Sequence, residues 1–80
     1  MKRDRYVRPG EMAVMEFNRR HEIGTPVRFW PGARVGEGRR SRTRSAAWEL
    51  ESGDAVVLVE DYSGGIALTH VQVIVGEDDG

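Results

Sequence analysis

Seven consecutive residues hold the densest chemistry of this chain. Arg39-Arg40-Ser41-Arg42-Thr43-Arg44-Ser45 places four guanidinium forks and three hydroxyls at the entrance to an expected strand. An arginine fork holds phosphate oxygens two at a time, and Ser and Thr hydroxyls with adjacent backbone N–H groups complete an anion cradle. Phosphate or another dense anion suits such a set. If Thr43 opens a strand, Arg42 and Arg44 point to one face and Thr43 and Ser45 to the other. Arg28 and Arg40 are the candidates to add charge. Trp30, followed by the Pro31-Gly32 stop, is expected at a strand end opening onto the Arg-rich segment and is the candidate to stack on a base, whereas Trp48 is the candidate for the core. His70, beside Thr69 and between two apolar strands, completes the ligand-binding set of Arg42, Thr43, Arg44, Ser45, Trp30, Arg28, Arg40 and His70, with a hydrogen-bonded structural role as its simpler reading.

Other chemistries lack their residues. Ser63, His70 and Asp61 are only formally a nucleophile, a base and an acid, and no nucleophile-elbow pattern surrounds them. Gly36-Glu37-Gly38 is followed by no Gly-Lys-Ser/Thr, and no helix is expected to begin there, so it is not a nucleotide loop. With no cysteine, and only His21-Glu22 as neighbouring ligands, no metal site is expected. The chain is expected to be non-enzymatic and to need no cofactor.

The whole chain bounds these choices. Its 80 residues carry 12 Lys+Arg and 13 Asp+Glu, with 39% apolar residues, which describes one small domain near neutrality. The total conceals two halves. All twelve basic residues lie between Lys2 and Arg44, where five carboxylates oppose them for a net +7, and from Ser45 onward eight carboxylates stand without Lys or Arg for −8. Such a division suggests an anionic partner for one region or a self-complementary assembly. The longest apolar run, Ala55 to Val59, is far short of the roughly 20 residues of a membrane span. No secretory apolar segment follows the basic start, and without cysteines the default location is the cytoplasm. A domain this small buries only about 60 to 65% of its unfolded surface, so homo-oligomerisation is expected.

Residues 1–10 are expected to be a basic flexible arm ending in the Pro9-Gly10 breaker, residues 11–76 a single helix-plus-small-barrel domain and residues 77–80 an acidic tail. Glu11 to about Arg20 reads as a short helix whose Met12, Met15 and Phe17 stripe faces the core. Val27-Arg28-Phe29-Trp30 reads as a strand and residues 31–42 as a long, basic, mobile loop. Strands follow at Thr43 to Leu50, at Ala55 to Val59 (apolar at both parities and so central), at Ile66 to Thr69 and at Val71 to Val75. Tight turns separate them at residues 51–54 and 61–65, where Gly64-Gly65 permits close backbone approach. The fold class is mainly β: five short strands curl into a small Src-homology-3-like barrel with one short N-terminal helix, which removes most exposed edges.

Phe17-Asn18, Gly24-Thr25-Pro26-Val27, Trp30-Pro31-Gly32, Thr43-Arg44-Ser45 with Ala47-Trp48, Val56-Val57-Leu58-Val59-Glu60 and Gly64-Gly65-Ile66-Ala67-Leu68-Thr69-His70-Val71 together resemble a family of small proteins of bacteriophages, prophages and actinobacterial mobile elements. The resemblance runs from about Phe17 to Val75 and carries no established activity. It implies an accessory gene of a mobile element. Such proteins often modulate host machinery, in one strategy by sequestering nucleotide immune signals as an oligomeric sponge. Many relatives are expected to hold a Gly near Asp61, where this chain has a charge.

The leading expectation is therefore a non-enzymatic phage or mobile-element accessory protein that binds an anionic, nucleotide-like ligand, acts by stoichiometric capture and assembles as a homo-oligomer. The alternatives are a nucleic-acid-binding small barrel, marked by affinity that falls steeply with salt, and a protein-interaction or structural phage module in which a basic half docks on an acidic half.

Overall fold

The computed structural model describes residues 8–75. The expected arm lies outside them except for Arg8, Pro9 and Gly10, and the expected acidic tail lies wholly outside. Helix α1 spans Pro9–Arg20 and thus begins on the expected breaker. Proline at the first helical position loses no hydrogen bond, because its missing N–H would have had no partner there, and its φ is already helical. Gly10 has a packing reason: a Cβ there would collide with the Gly53 carbonyl and lie 2.7 Å from Glu49 Oε2. Only glycine lets α1 settle this close to the 50–54 turn.

Polar contacts fasten the helix at both ends. Arg8 Nη2 pairs with Glu49 Oε1 at 2.6 Å, which holds a carboxylate near the positive end of the helix dipole. Asn18 bonds one residue twice, donating from Nδ2 to Ala47 O at 3.0 Å and accepting at Oδ1 from Ala47 N at 2.8 Å. The expected apolar stripe is only partly inside: Phe17 and Ala13 are half-buried, whereas Met12 and Met15 are 51% and 57% exposed. In place of a deep stripe, the helix meets the sheet through its small residues and Asn18, which turns the methionines outward.

The strands are β1 (Pro26–Phe29), β2 (Arg39–Arg42), β3 (Trp48–Glu49), β4 (Ala55–Val57), β5 (Ile66–Ala67) and β6 (Val71–Val73), with a 3-10 turn at Leu68–His70 before the last. They form two three-stranded antiparallel sheets, ordered β2-β1-β6 and β3-β4-β5. A single Thr43–Val59 bridge joins the two. Among the described residues the fold is thus mainly β with one α-helix, but it has six strands and the sheets do not close into one five-stranded barrel. Side-chain hydrogen bonds account for the difference. Leu58 N donates to Ser45 Oγ at 3.1 Å, so the expected strand through Val59 leaves its ladder after Val57, and the expected strand from Thr43 to Leu50 is divided by the same contact. The expected mobile loop is also corrected, since its last four residues pair with β1 as β2.

Alternation along β1 sets the inside and outside of the first sheet. Val27 and Phe29 are 0% and 2% exposed and pack with Val59 and Ile66, while Tyr62, Val71 and Val73 close around them. Pro26 and Arg28 consequently point outward. On the second sheet Gly65 lies beneath Val56 and Trp48, the close approach that its missing side chain permits.

Candidate functional site

The Arg39–Ser45 segment does not converge on one ligand. It divides at Arg42 into a half paired on β2 and a half that ties the β2–β3 connection to the protein's own backbone, with Thr43 buried and Arg44 exposed. Thr43 is 1% exposed, and its Oγ1 accepts from Gly24 N at 3.0 Å and Thr25 N at 3.2 Å. Arg44 donates from Nε to Val59 O at 2.7 Å and from Nη2 to Tyr62 O at 3.0 Å. Ser45 Oγ donates to Ala46 O at 2.8 Å besides accepting from Leu58 N. These three residues tie the β2–β3 connection to the 58–62 segment. Two of the five N–H groups of Arg44 are taken by carbonyls, against one each for Arg28 and Arg42.

Trp30 and His70 are likewise occupied. Trp30 is buried, its Nε1 donates to Gly36 O at 3.2 Å, and the Arg34 guanidinium lies 4.3 Å from its ring centroid. Arg34 also donates to Thr69 O at 2.8 Å. Behind the ring, Gly38 has φ +74° and a Cβ there would lie 2.6 Å from the indole. Trp30 thus organises the 31–38 loop, while Trp48, expected in the core, is 39% exposed. The exchange has a local cause: the loop folds back over the end of β1 and buries Trp30, whereas α1 meets β3 through Asn18 and Arg8 and leaves Trp48 partly in solvent. His70 Nδ1 lies 3.2 Å from Trp30 O, and Trp30 N donates to His70 O at 3.0 Å, which joins β1 to the turn before β6. A carbonyl only accepts, so that contact requires a proton on Nδ1.

The other three candidates meet on the outer face of the first sheet. Register places Arg28 opposite Arg40 on one side and opposite Gln72 on the other, and places Pro26 opposite Arg42. Ile74 N donates to Pro26 O at 3.0 Å, which carries this second row across to Ile74. One row therefore reads Arg40, Arg28, Gln72 and the next Arg42, Pro26, Ile74. Arg28 donates from Nη1 to Glu37 O at 3.4 Å and Arg42 from Nη1 to Gly24 O at 3.1 Å, one of the five N–H groups of each fork.

A cleft of about 260 Å³ opens on this face, lined by Pro26, Arg40, Ser41, Arg42, Glu60, Asp61 and Ile74. Glu60 N donates to Arg42 O at 3.0 Å and Ser41 Oγ to Glu60 O at 2.9 Å, so the 60–61 turn is held along the edge of β2. Asp61 stands in the left-handed region at φ +67°, the only described residue other than glycine that does so. Asp tolerates that region at modest cost, because its short polar side chain bonds locally. A Gly here, as the family resemblance leads one to expect, would need no such tolerance. The cleft thus has an apolar floor of Pro26 and Ile74, bordered on its β2 side by Arg40 and Arg42 with Glu60 and Asp61 beyond them.

Sequence reasoning missed Pro26, Glu60, Asp61 and Ile74 as lining residues. The signal for Pro26 was its place two residues before Arg28, hence on the same face, once the strand is begun one residue earlier. Nothing local in the sequence brings the 60–61 turn to β2. Among the described residues no group of three or more His, Asp or Glu is placed to hold a metal ion, and no helix is long and apolar enough to cross a membrane. Compared with known proteins, the chain matches no protein-family model, no curated protein and no solved structure.

Proposed function

We propose that this chain is a non-enzymatic binding module for a small anionic, nucleotide-like ligand seated in the outer cleft of the β2-β1-β6 sheet. One observation carries the reading: the cleft joins an apolar floor, Pro26 and Ile74, to the forks of Arg40 and Arg42 and to the carboxylates of Glu60 and Asp61. A nucleotide has the matching parts. Its phosphate takes bidentate arginine bonds, its base lies on apolar surface or stacks on a guanidinium plane, and its hydroxyl and amino groups donate to carboxylates. The same carboxylates oppose a bare polyanion, which disfavours a long nucleic-acid backbone along this edge.

The resemblance to phage and mobile-element proteins supports an accessory role in a host cytoplasm, where holding a host immune signal without turnover would suffice. Function then follows affinity and copy number. We read the fold as an open relative of the Src-homology-3-like barrel, supported by β6 returning to pair with β1 after a 3-10 turn. Assembly into homo-oligomers belongs to the same proposal, supported by the small size of the domain and its two charge halves. Isothermal titration calorimetry against mononucleotides, dinucleotides and cyclic nucleotides tests the reading. A micromolar binder recovered unaltered, and lost in Arg42→Ala, is the expected result. Consumption of the ligand, or no binder at millimolar concentration, would overturn it.

A further inference from the structure

The edge strands are β2 and β6 in the first sheet and β3 and β5 in the second. An edge offers unpaired N–H and C=O groups to any chain beside it, and folds blunt such edges with brevity, charge or cover. β3 and β5 are only two residues long. β2 carries Arg39, Arg40 and Arg42, and the 60–61 turn lies along it through Glu60 N to Arg42 O and Ser41 Oγ to Glu60 O. β6 is different. Val71-Gln72-Val73-Ile74-Val75 holds no charged residue and no proline, and among the described residues β6 pairs with β1 alone. Trp30 N donates to His70 O and Ile74 N to Pro26 O, so the even-numbered residues face β1. In an antiparallel ladder a residue turns its N–H and C=O to the same side, so Val71, Val73 and Val75 turn theirs outward. Val71 N is taken by Leu68 O in the 3-10 turn. Val71 O and both backbone groups of Val73 and Val75 are left aimed at the open edge.

Resting on the homo-oligomer reading above, we infer that β6 is the seam of a two-fold dimer, in which it pairs antiparallel with β6 of a second copy about Val73. The open edge is self-complementary in this register: Val73 exchanges both bonds with its counterpart, and Val75 N of each copy donates to Val71 O of the other. The two β2-β1-β6 sheets then form one continuous sheet. Charge favours the antiparallel direction. It carries the C-terminal end of each β6, which leads in the sequence to Glu77-Asp78-Asp79, toward the Thr69 end of the other copy, where Arg34 donates to Thr69 O at 2.8 Å. A parallel pairing would set the acidic ends side by side. Ile74 stands opposite Gln72 of the second copy, so the outer faces that bear the two clefts become one surface. A seam made of strand edges is smaller than a standard interface, and the dimer is reversible.

Sedimentation velocity of the full chain across the micromolar range, with Val75→Pro beside it, tests the inference. Proline at 75 removes an outward N–H and leaves the β1 ladder intact. The expected result is a reversible dimer whose dissociation constant rises at least tenfold in Val75→Pro. Amide hydrogen exchange of the unaltered chain gives a second readout should the variant fold poorly: Val73 and Val75 exchange more slowly at concentrations where the dimer forms, while Gln72 and Ile74, already turned to β1, change little. A folded Val75→Pro that dimerises as tightly as the unaltered chain, or exchange at Val73 that ignores dimerisation, overturns the β6 seam and leaves oligomerisation standing. A monomer at every concentration overturns both.

Discussion

Replacing Arg44 by alanine separates a ligand-binding arginine from a structural one. Two bonds from a charged donor disappear, Nε to Val59 O at 2.7 Å and Nη2 to Tyr62 O at 3.0 Å. A hydrogen bond to a charged group contributes about 1.5–3 kcal/mol net, but one of these two is exposed and its carbonyl can turn to water. The part-buried one belongs to Val59, a residue with 0% exposure at the bridge between the sheets, so its carbonyl is the harder to rehydrate. The expected loss is about 2–3 kcal/mol. Stabilities of about 0.05–0.15 kcal/mol per residue give an 80-residue chain only about 4–12 kcal/mol in total. For a domain of this size a loss of about 2 kcal/mol lowers the melting temperature by roughly 8–16 °C. Urea unfolding of Arg44→Ala is expected to show a lower midpoint with an unchanged slope. Nucleotide affinity of the folded variant is expected to stay within about twofold of the unaltered protein, a difference of about 0.4 kcal/mol. An unchanged midpoint combined with lost ligand binding would refute the reasoning, because it would make Arg44 a ligand group.

Gly38→Ala is expected to cost at least about 2 kcal/mol, from the left-handed backbone and the collision with Trp30 together; Gly36→Ala, with the same φ of +74° in open space, costs about 1 kcal/mol by thermal denaturation. Asn18→Ala removes both bonds to Ala47 and is expected to cost about 1–2 kcal/mol, with amide hydrogen exchange in α1 accelerating more than in β1. Thr43→Val keeps the shape and removes the Oγ1 acceptor, but Gly24 N keeps Thr43 O and Thr25 N keeps Glu22 O, so the expected loss in urea unfolding is about 0.5–1.5 kcal/mol. Asp61→Gly relieves the left-handed aspartate and is expected to raise stability by about 0.5–1 kcal/mol while weakening nucleotide binding, a divergence that calorimetry and thermal denaturation read together.

How much of this was legible without coordinates depends on the range of the interaction involved. Period-two alternation in Val27-Arg28-Phe29 announced a half-buried strand, and the apolar Val56-Val57 pair a buried one, because both signals are local. The Pro9-Gly10 pair was misread because its meaning depends on Gly53, more than forty residues away. Alternation along the Arg-rich segment told that only one pair could converge on a ligand, yet that Arg44 meets the Val59 and Tyr62 carbonyls depends on the 58–62 segment, which is distant in sequence. Arg28, Arg40 and Arg42 could be listed from composition. Their convergence could not, since it follows from pairing β2 with β1 across a loop that reads as unstructured. The two tryptophans exchanged roles for the same reason: burial of Trp30 is supplied by Arg34, Gly36 and Gly38 of that loop.

The central claim is that ligand phosphate meets the outer face of the first sheet and not the Thr43-Arg44-Ser45 segment. A nitrogen-15 amide NMR titration with a nucleoside diphosphate tests it most directly. The account predicts saturable shifts confined to Arg28, Arg40, Ser41, Arg42, Glu60, Asp61 and the Gln72–Ile74 amides. Shifts centred on Trp30 and residues 43–45, or none at millimolar ligand, would contradict it.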